Sequence, residues 1–304
     1  GFLREAIAEK VYLNRGIKIT AEDIFISDGA KSDMGNFLDI LAKDLDVLIA
    51  DPVYPVYMDT NIMEGNRSHK LPCLAENDFL PQVPKDQKAD LIYICSPNNP
   101  TGMTMTREAL EDWVNYALVQ DAIILFDAAY EAFIQDDSLP RSLYEIPGAE
   151  KVAAAVRPFS KFAGFTGLRC GYTVIPSGLM VRSEDGQNYP LADFWMRRQT
   201  TKYNGVPYVV QRAAEAAYTD EGYAACMENI HYYLDNAKAL KEALEAFGLK
   251  VYGAENAPYI WAETPAGQTS WEYFDFLLNE AHLVVTPGSG FGACGEGYIR
   301  LSAF

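Results

Sequence analysis

Cysteine is scarce in this 304-residue sequence, and the five present (Cys73, Cys95, Cys170, Cys226, Cys294) never form a Cys-x-x-Cys pair. Their odd number and scatter exclude a disulfide framework or a zinc site and fit a reducing compartment. Histidine is scarcer still: His69, His231 and His282 stand apart, so no metal cluster is suggested. A Ser-His-Asp hydrolase would have to recruit one of them without any nucleophile-elbow motif. Basic residues are outnumbered, 25 Lys and Arg against 42 Asp and Glu, for a net charge of −17. A nucleic-acid binder needs a basic face to neutralise phosphates, and this balance argues against one. An anionic ligand must instead be met by a few cations gathered locally. No apolar run approaches the roughly 18 residues that cross a bilayer, and no signal-peptide pattern opens the chain. The expectation is a soluble, cytoplasmic protein, or a plastid one if a transit peptide precedes Gly1. Internal repeats, low-complexity tracts and a Walker motif are also lacking.

What is present is a globular composition, 49% hydrophobic, in a chain long enough for more than one domain. Apolar strand-like runs at residues 24–28, 46–50, 91–95, 122–126, 152–156 and 170–175 alternate with helical patterns. That alternation predicts an α/β fold with a mostly parallel sheet and helical crossovers. One crossover carries the stripe Leu110, Trp113, Val114, Ala117 and Leu118 behind a Thr106 cap, and this stripe is core. Beyond Gly248 the texture changes to short strands and turns. The expected division is a large domain over residues 1–215, followed by connecting helices and a small α+β domain over 216–304. The chain opens inside a helical pattern (Leu3, Ala6, Ile7, Val11) and stops after a strand-like run, so both ends read as cut. Gly290-Phe-Gly-Ala-Cys-Gly295 matches a dinucleotide fingerprint by letter only, because a strand follows where a helix is required.

The candidate site centres on Arg157-Pro-Phe-Ser-Lys-Phe-Ala-Gly-Phe-Thr-Gly-Leu-Arg169. One lysine among small, hydroxylic and glycine residues, with an arginine eight positions on, suits an amine that forms an aldimine with an aldehyde cofactor. Ser160 and Arg169 would hold an anionic handle, most simply a phosphate. Alone, the spacing also fits a glycine-rich turn with a solvated lysine. Other strand ends add to it. Gly29-Ala30-Lys31 opens a helix after a strand, where free amides suit an anion. Tyr54 sits in a proline-stiffened loop, expected to exclude helix, from which it could stack on a flat ring. Asn99 lies in a dense turn at a strand end, the usual ligand edge of an open α/β sheet. Asp127 terminates an apolar strand, with Tyr130 three residues on. A buried carboxylate there is costly unless it meets a cation, and a protonated pyridine nitrogen is one. Arg300 alternates with Tyr298 and Ser302 on one face of a terminal strand, suiting capture of a carboxylate.

With these residues in place, the chain resembles the fold-type I pyridoxal-phosphate aminotransferases, through Asn99-Pro-Thr-Gly, Asp127-x-x-Tyr130 and Ser160-Lys161 with Arg169. Longer strings (SDGAKSD, DPVYPVYMDTN, ILFDAAYEAFI, RRQTTKYNGV, NAPYIW, TPGSGFGACGEGYIRLSAF) resemble the branch acting on LL-diaminopimelate. The resemblance implies pyridoxal 5′-phosphate as cofactor and a ping-pong exchange between LL-diaminopimelate/tetrahydrodipicolinate and glutamate/2-oxoglutarate, in lysine biosynthesis. It implies Lys161 as the aldimine lysine and proton carrier, Asp127 on the pyridine nitrogen, Asn99 and Tyr130 on the ring oxygen, and Tyr54 stacked on the ring. Ala30, Lys31, Ser160 and Arg169 would cradle the phosphate. Arg300 would take the α-carboxylate, with Lys31, Tyr54, Asn99 and Asn204 helping to hold cofactor or substrate, Asn204 across the interface of a homodimer. Three departures stand against it: Pro158 occupies the place of a small hydroxyl residue, and the family's N-terminal segment and last C-terminal helix are not in this sequence. Two other readings stay open, an aminotransferase for aromatic or aspartate-like substrates and a cofactor-binding but inactive fragment.

Overall fold

The computed structural model describes residues 1–183 and 185–304. A short helix, α1 (Phe2–Ile7), leads into the main sheet. Its strands are β1 (Ile24–Ser27), β2 (Asp46–Asp51), β3 (Arg67–Pro72), β4 (Leu91–Cys95), β5 (Ile123–Asp127), β6 (Ala153–Pro158) and β7 (Gly171–Val174). They lie in the order β1-β7-β6-β5-β4-β2-β3, seven strands among the described residues. β2 through β6 pair in parallel, while β7 runs antiparallel to both β6 and β1. The mostly parallel α/β sheet expected from the alternating pattern is therefore present. β4 is buried along its whole length and β5 nearly so, as parallel strands covered on both faces must be.

The crossovers include α2 (Ala30–Phe37), α3 (Val56–Glu64) and α4 (Arg107–Gln120). The Thr106 hydroxyl accepts from the Ala109 amide and caps α4, whose Leu110, Trp113, Val114 and Ala117 are buried. Leu118 is 42% exposed, so the apolar stripe is narrower than the sequence suggests. The loop after β2 corrects a second expectation. Its prolines do not exclude helix, because Pro55 sits at the N-cap of α3, where a missing N–H costs no intrahelical bond. Tyr57 is consequently helical and points inward, fully buried.

The one-turn helix α5 (Phe159–Phe162) carries Ser160 and Lys161 off the end of β6. After β7 come a small hairpin, β8 (Met180–Arg182) with β9 (Asn188–Pro190), and three helices: α6 (Leu191–Lys202), α7 (Tyr208–Ala216) and the long α8 (Asp220–Ala246). Among the described residues no helix is long and apolar enough to cross a membrane. The chain then builds a second sheet from β10 (Val251–Gly253), β11 (Tyr259–Glu263), β12 (Thr286–Pro287) and β13 (Tyr298–Ser302), in the order β10-β11-β13-β12. Helix α9 (Ser270–Glu280) packs on it around a separate apolar cluster that includes Ile260, Ala262, Ile299 and Leu301.

Candidate active site

The parallel strands deliver their C-terminal ends to one edge of the sheet. From that edge come Ala30 and Lys31 after β1, Tyr54 after β2, Asn99 after β4, Asp127 and Tyr130 after β5, and Ser160 and Lys161 after β6. Because β7 is antiparallel, its beginning lies at the same edge and brings Arg169 there too. Arg300 enters from β13 of the second sheet. These ten side chains line one cavity of about 610 Å³. Asn204 does not: it is exposed on the loop between α6 and α7, outside the cavity. Met34, Tyr57, Thr166 and Tyr259 also line the cavity, and none of them is singled out by sequence pattern.

Asp127 is the buried carboxylate of the site. Its Oδ2 accepts from the Tyr57 hydroxyl at 2.6 Å, and its Oδ1 accepts from the Ala129 amide at 3.0 Å. Burial pushes its pKa up to about 6, although those two donors and the charge of Lys161 pull it down. Such an acid is costly in this position unless a cation joins it. Tyr57 is held for its task by stacking on Tyr93, ring centroids 5.0 Å apart.

Lys161 is half-buried, with its Nζ 6.0 Å from the Tyr130 ring centroid and 4.5 Å from that of Phe304. Burial lowers its pKa and the positive charge of Arg300 lowers it further, while Asp127 raises it. The net direction is downward, so at neutral pH more of its amine is uncharged than in an exposed lysine.

Arg300 donates from Nη1 to Asn99 Oδ1 at 2.7 Å and from Nη2 to Thr286 Oγ1 at 3.3 Å. Its guanidinium lies against the rings of Tyr259 (4.6 Å) and Phe291 (4.8 Å). Its Nε is buried without a hydrogen-bond partner among the described residues. Since the Asn99 oxygen faces Arg300, the Asn99 amide NH₂ is left as a donor for something else.

The opposite end of the cavity is the N-terminus of α2. Arg169, at φ +65°, folds over it and donates from Nη1 to the Thr166 carbonyl. Position 29 favours glycine through its φ of +140°, and a Cβ there would also meet the tip of the Arg169 side chain, Nη2, at 2.7 Å. Free helix amides, Ser160 and a guanidinium make this end an anion cradle. Lys31 stands nearby, its Nζ 5.9 Å from the Tyr54 ring.

A buried pair lies beneath the site. Arg157 on β6 forms an ion pair with Glu131, and both are almost fully buried. Arg15 reaches the other Glu131 oxygen at 3.3 Å, and Arg157 Nη1 donates to the Tyr172 hydroxyl at 3.1 Å. Burial opposes the charge on Arg157, but Glu131 and the surrounding tyrosines outweigh it and hold its pKa above the ordinary arginine range.

Comparison with known proteins agrees with this geometry. The family model described as Aminotransferase class I and II matches residues 1–303. The chain is similar to the LL-diaminopimelate aminotransferase of Bacteroides thetaiotaomicron, 53% identical over the whole chain and 77% of that protein. Among solved structures it is similar to L,L-diaminopimelate aminotransferase from Chlamydomonas reinhardtii, with a TM-score of 0.93 and 39% identity, covering the whole chain and 75% of that structure. It is also similar to an aromatic aminotransferase from Pyrococcus horikoshii, with a TM-score of 0.88 and 29% identity over 99% of the chain and 80% of that structure.

Proposed function

Because the chain belongs to the aminotransferase class I and II family, we propose that it exchanges amino groups between LL-diaminopimelate/tetrahydrodipicolinate and glutamate/2-oxoglutarate, with pyridoxal 5′-phosphate as cofactor. Similarity to relatives of that printed activity, over the whole chain and 76% to 77% of their length, carries the substrate assignment. When bound, the cofactor supplies an aldehyde for an amine and a protonated ring that withdraws electrons from the reacting carbon.

The cavity supports this cofactor on its own chemistry. Asp127 is a buried acid in need of a cation, and a ring nitrogen is one. The α2 N-terminus, Ser160 and Arg169 suit its phosphate, with Pro158 offering no donor where the family usually has one. Asn99 and Tyr130 offer donors to the ring oxygen, and Tyr54 a face for stacking. Lys161 Nζ would be the amine for the aldehyde and would carry the proton from the substrate's α-carbon, a task its lowered pKa favours. Arg300 binds the α-carboxylate through the guanidinium N–H groups that Asn99 and Thr286 leave free. Lys31 completes the substrate side. Asn204, exposed on its own chain, is assigned to the neighbouring cavity of a homodimer.

Steady-state assays test the substrate assignment. Diaminopimelate is expected to exceed aromatic and aspartate-like amino acids in kcat/KM by at least about tenfold, with the parallel double-reciprocal lines of ping-pong kinetics. A preference for an aromatic or aspartate-like substrate would sink the assignment while leaving the family intact. A loaded protein whose spectrum no amino acid alters would be a cofactor-binding protein only.

The role of Asp127 has its own test. Its carboxylate is present above its pKa, so cofactor affinity is expected to fall as pH drops through about 6. Asp127→Asn keeps the shape but removes the charge. Turnover is expected to fall about a hundredfold, with the acid limb of cofactor binding weakened. A variant within about threefold of the parent in kcat would remove Asp127 from the mechanism.

A further inference from the structure

We infer that Tyr259 is a positioning residue for the proposed reaction: its hydroxyl sets how strongly Tyr130 donates to the cofactor's ring oxygen, and its ring holds the Arg300 guanidinium ready for a substrate carboxylate. The inference rests on the function proposed above.

The two roles follow from the place of one side chain. Tyr259 begins β11, is almost fully buried and lines the cavity. Its hydroxyl is 2.6 Å from that of Tyr130, with the rings edge-to-face at 5.1 Å. Each phenol has a single proton. If Tyr130 donates to a ring oxygen, its own oxygen must accept, and the neighbouring Tyr259 hydroxyl supplies the proton. A phenol that accepts a hydrogen bond becomes a better donor. Burial raises the pKa of both hydroxyls, so both keep their protons at neutral pH. The titratable and charged groups facing the pair are Cys95 on β4, Asp127 on β5, Tyr54 after β2, Lys161 on α5 and Arg300 on β13.

The second role is mechanical. Arg300 lies 4.6 Å from the Tyr259 ring centroid and 4.8 Å from that of Phe291, so two aromatic rings hold the guanidinium. Tyr259 itself has little freedom. Its carbonyl accepts from the Ala254 amide at 2.9 Å and lies where a Cβ on Gly102 would approach to 2.7 Å. Gly102 closes the Asn99 turn, so Tyr259 is wedged against the segment that also carries a ring-oxygen donor. One side chain of the second sheet thus touches Tyr130 on the cofactor side and the cation on the substrate side.

Tyr259→Phe separates the two roles by keeping the ring and deleting the hydroxyl. With a weaker donor at Tyr130, the ring oxygen of a bound cofactor would carry more negative charge and would favour the protonated form of the group at Lys161. The pH midpoint of the visible absorption of the cofactor-loaded protein is expected to rise by about half a unit. KM for glutamate should stay within about twofold, whereas Tyr259→Leu, which removes the ring, should raise it about tenfold. In a Tyr130→Phe background the midpoint shift from Tyr259→Phe should vanish, an outcome that a merely structural role would not produce. If the parent protein loads and titrates but Tyr259→Phe leaves its midpoint unchanged, this inference fails and the proposed function stands. If the parent develops no visible band with pyridoxal phosphate, the proposed function fails and takes the inference with it.

Discussion

Lys161→Ala is expected to lower amino transfer by about four orders of magnitude, the upper range for removal of a positioned proton carrier, and to do so without unfolding the chain. The side chain faces the rings of Tyr130 and Phe304, and Asp127, which loses a nearby positive charge, keeps its hydrogen bonds from the Tyr57 hydroxyl and the Ala129 amide. The amine is also expected to be the attachment point of the cofactor, which makes the visible spectrum a second readout independent of turnover. Lys161→Arg is the informative companion. It keeps the positive charge beside Asp127 and Arg300, but a guanidinium stays protonated at any working pH and cannot accept a proton from carbon. If Lys161 served only to balance charge, arginine would restore most of the rate. The expected result is that both variants are equally inactive and both lose the imine absorption of the parent, while their thermal midpoints stay close to it. Turnover of the arginine variant within tenfold of the parent would overturn the assignment.

How much of this site can be read from sequence depends on whether a residue's role is written locally. β4 and β5 are nearly unbroken apolar runs because helices cover both faces of the sheet, and Asp127 stands out because it breaks such a run. Lys161 stands out for the same kind of reason, since its small and hydroxylic neighbours leave room for a ligand. β3 does not stand out. It is an edge strand of sequence Arg-Ser-His-Lys-Leu-Pro, largely solvated, so the pairing with β2 rather than apolar periodicity defines it. The proline loop misleads because proline forbids a helix interior but not a helix start, and Pro55 is at a start. Tyr57 and Tyr259 are two of 19 tyrosines with no local mark. Their partners, Asp127 and Tyr130, lie 70 and 129 residues away in the chain. Contacts of that span are properties of the fold. Asn204 is the opposite case: its motif marks it, yet the fold of one chain leaves it outside the cavity, and a role for it requires a second copy.

The Arg157–Glu131 pair has the largest expected effect on stability. Both groups are buried, so each has given up its hydration in exchange for the other. Removing Glu131 strands the buried Arg157 charge, at a cost of about 3–5 kcal/mol, whereas an exposed pair contributes no more than about 1 kcal/mol. Glu131→Gln is therefore expected to lower the thermal midpoint by roughly 10 °C, and Arg157→Met by less, because Arg15 still reaches Glu131. The double variant Arg157→Met/Glu131→Leu removes both desolvation costs and should lose much less than the sum of the singles. The same pair bears on catalysis through its place in the chain. Glu131 follows Tyr130 directly, and Arg157 stands on β6 four residues before Lys161, so the ion pair ties the segment of Tyr130 to that of Lys161. In the single variants, turnover should fall even at temperatures where the protein remains folded, and the double variant should recover stability more fully than rate. Unfolding curves for the two singles and the double, each paired with kcat at 25 °C, decide the matter. Singles that cost no more than an exposed pair would mean that the packing around β6, rather than this charge pair, holds Tyr130 and Lys161 in register.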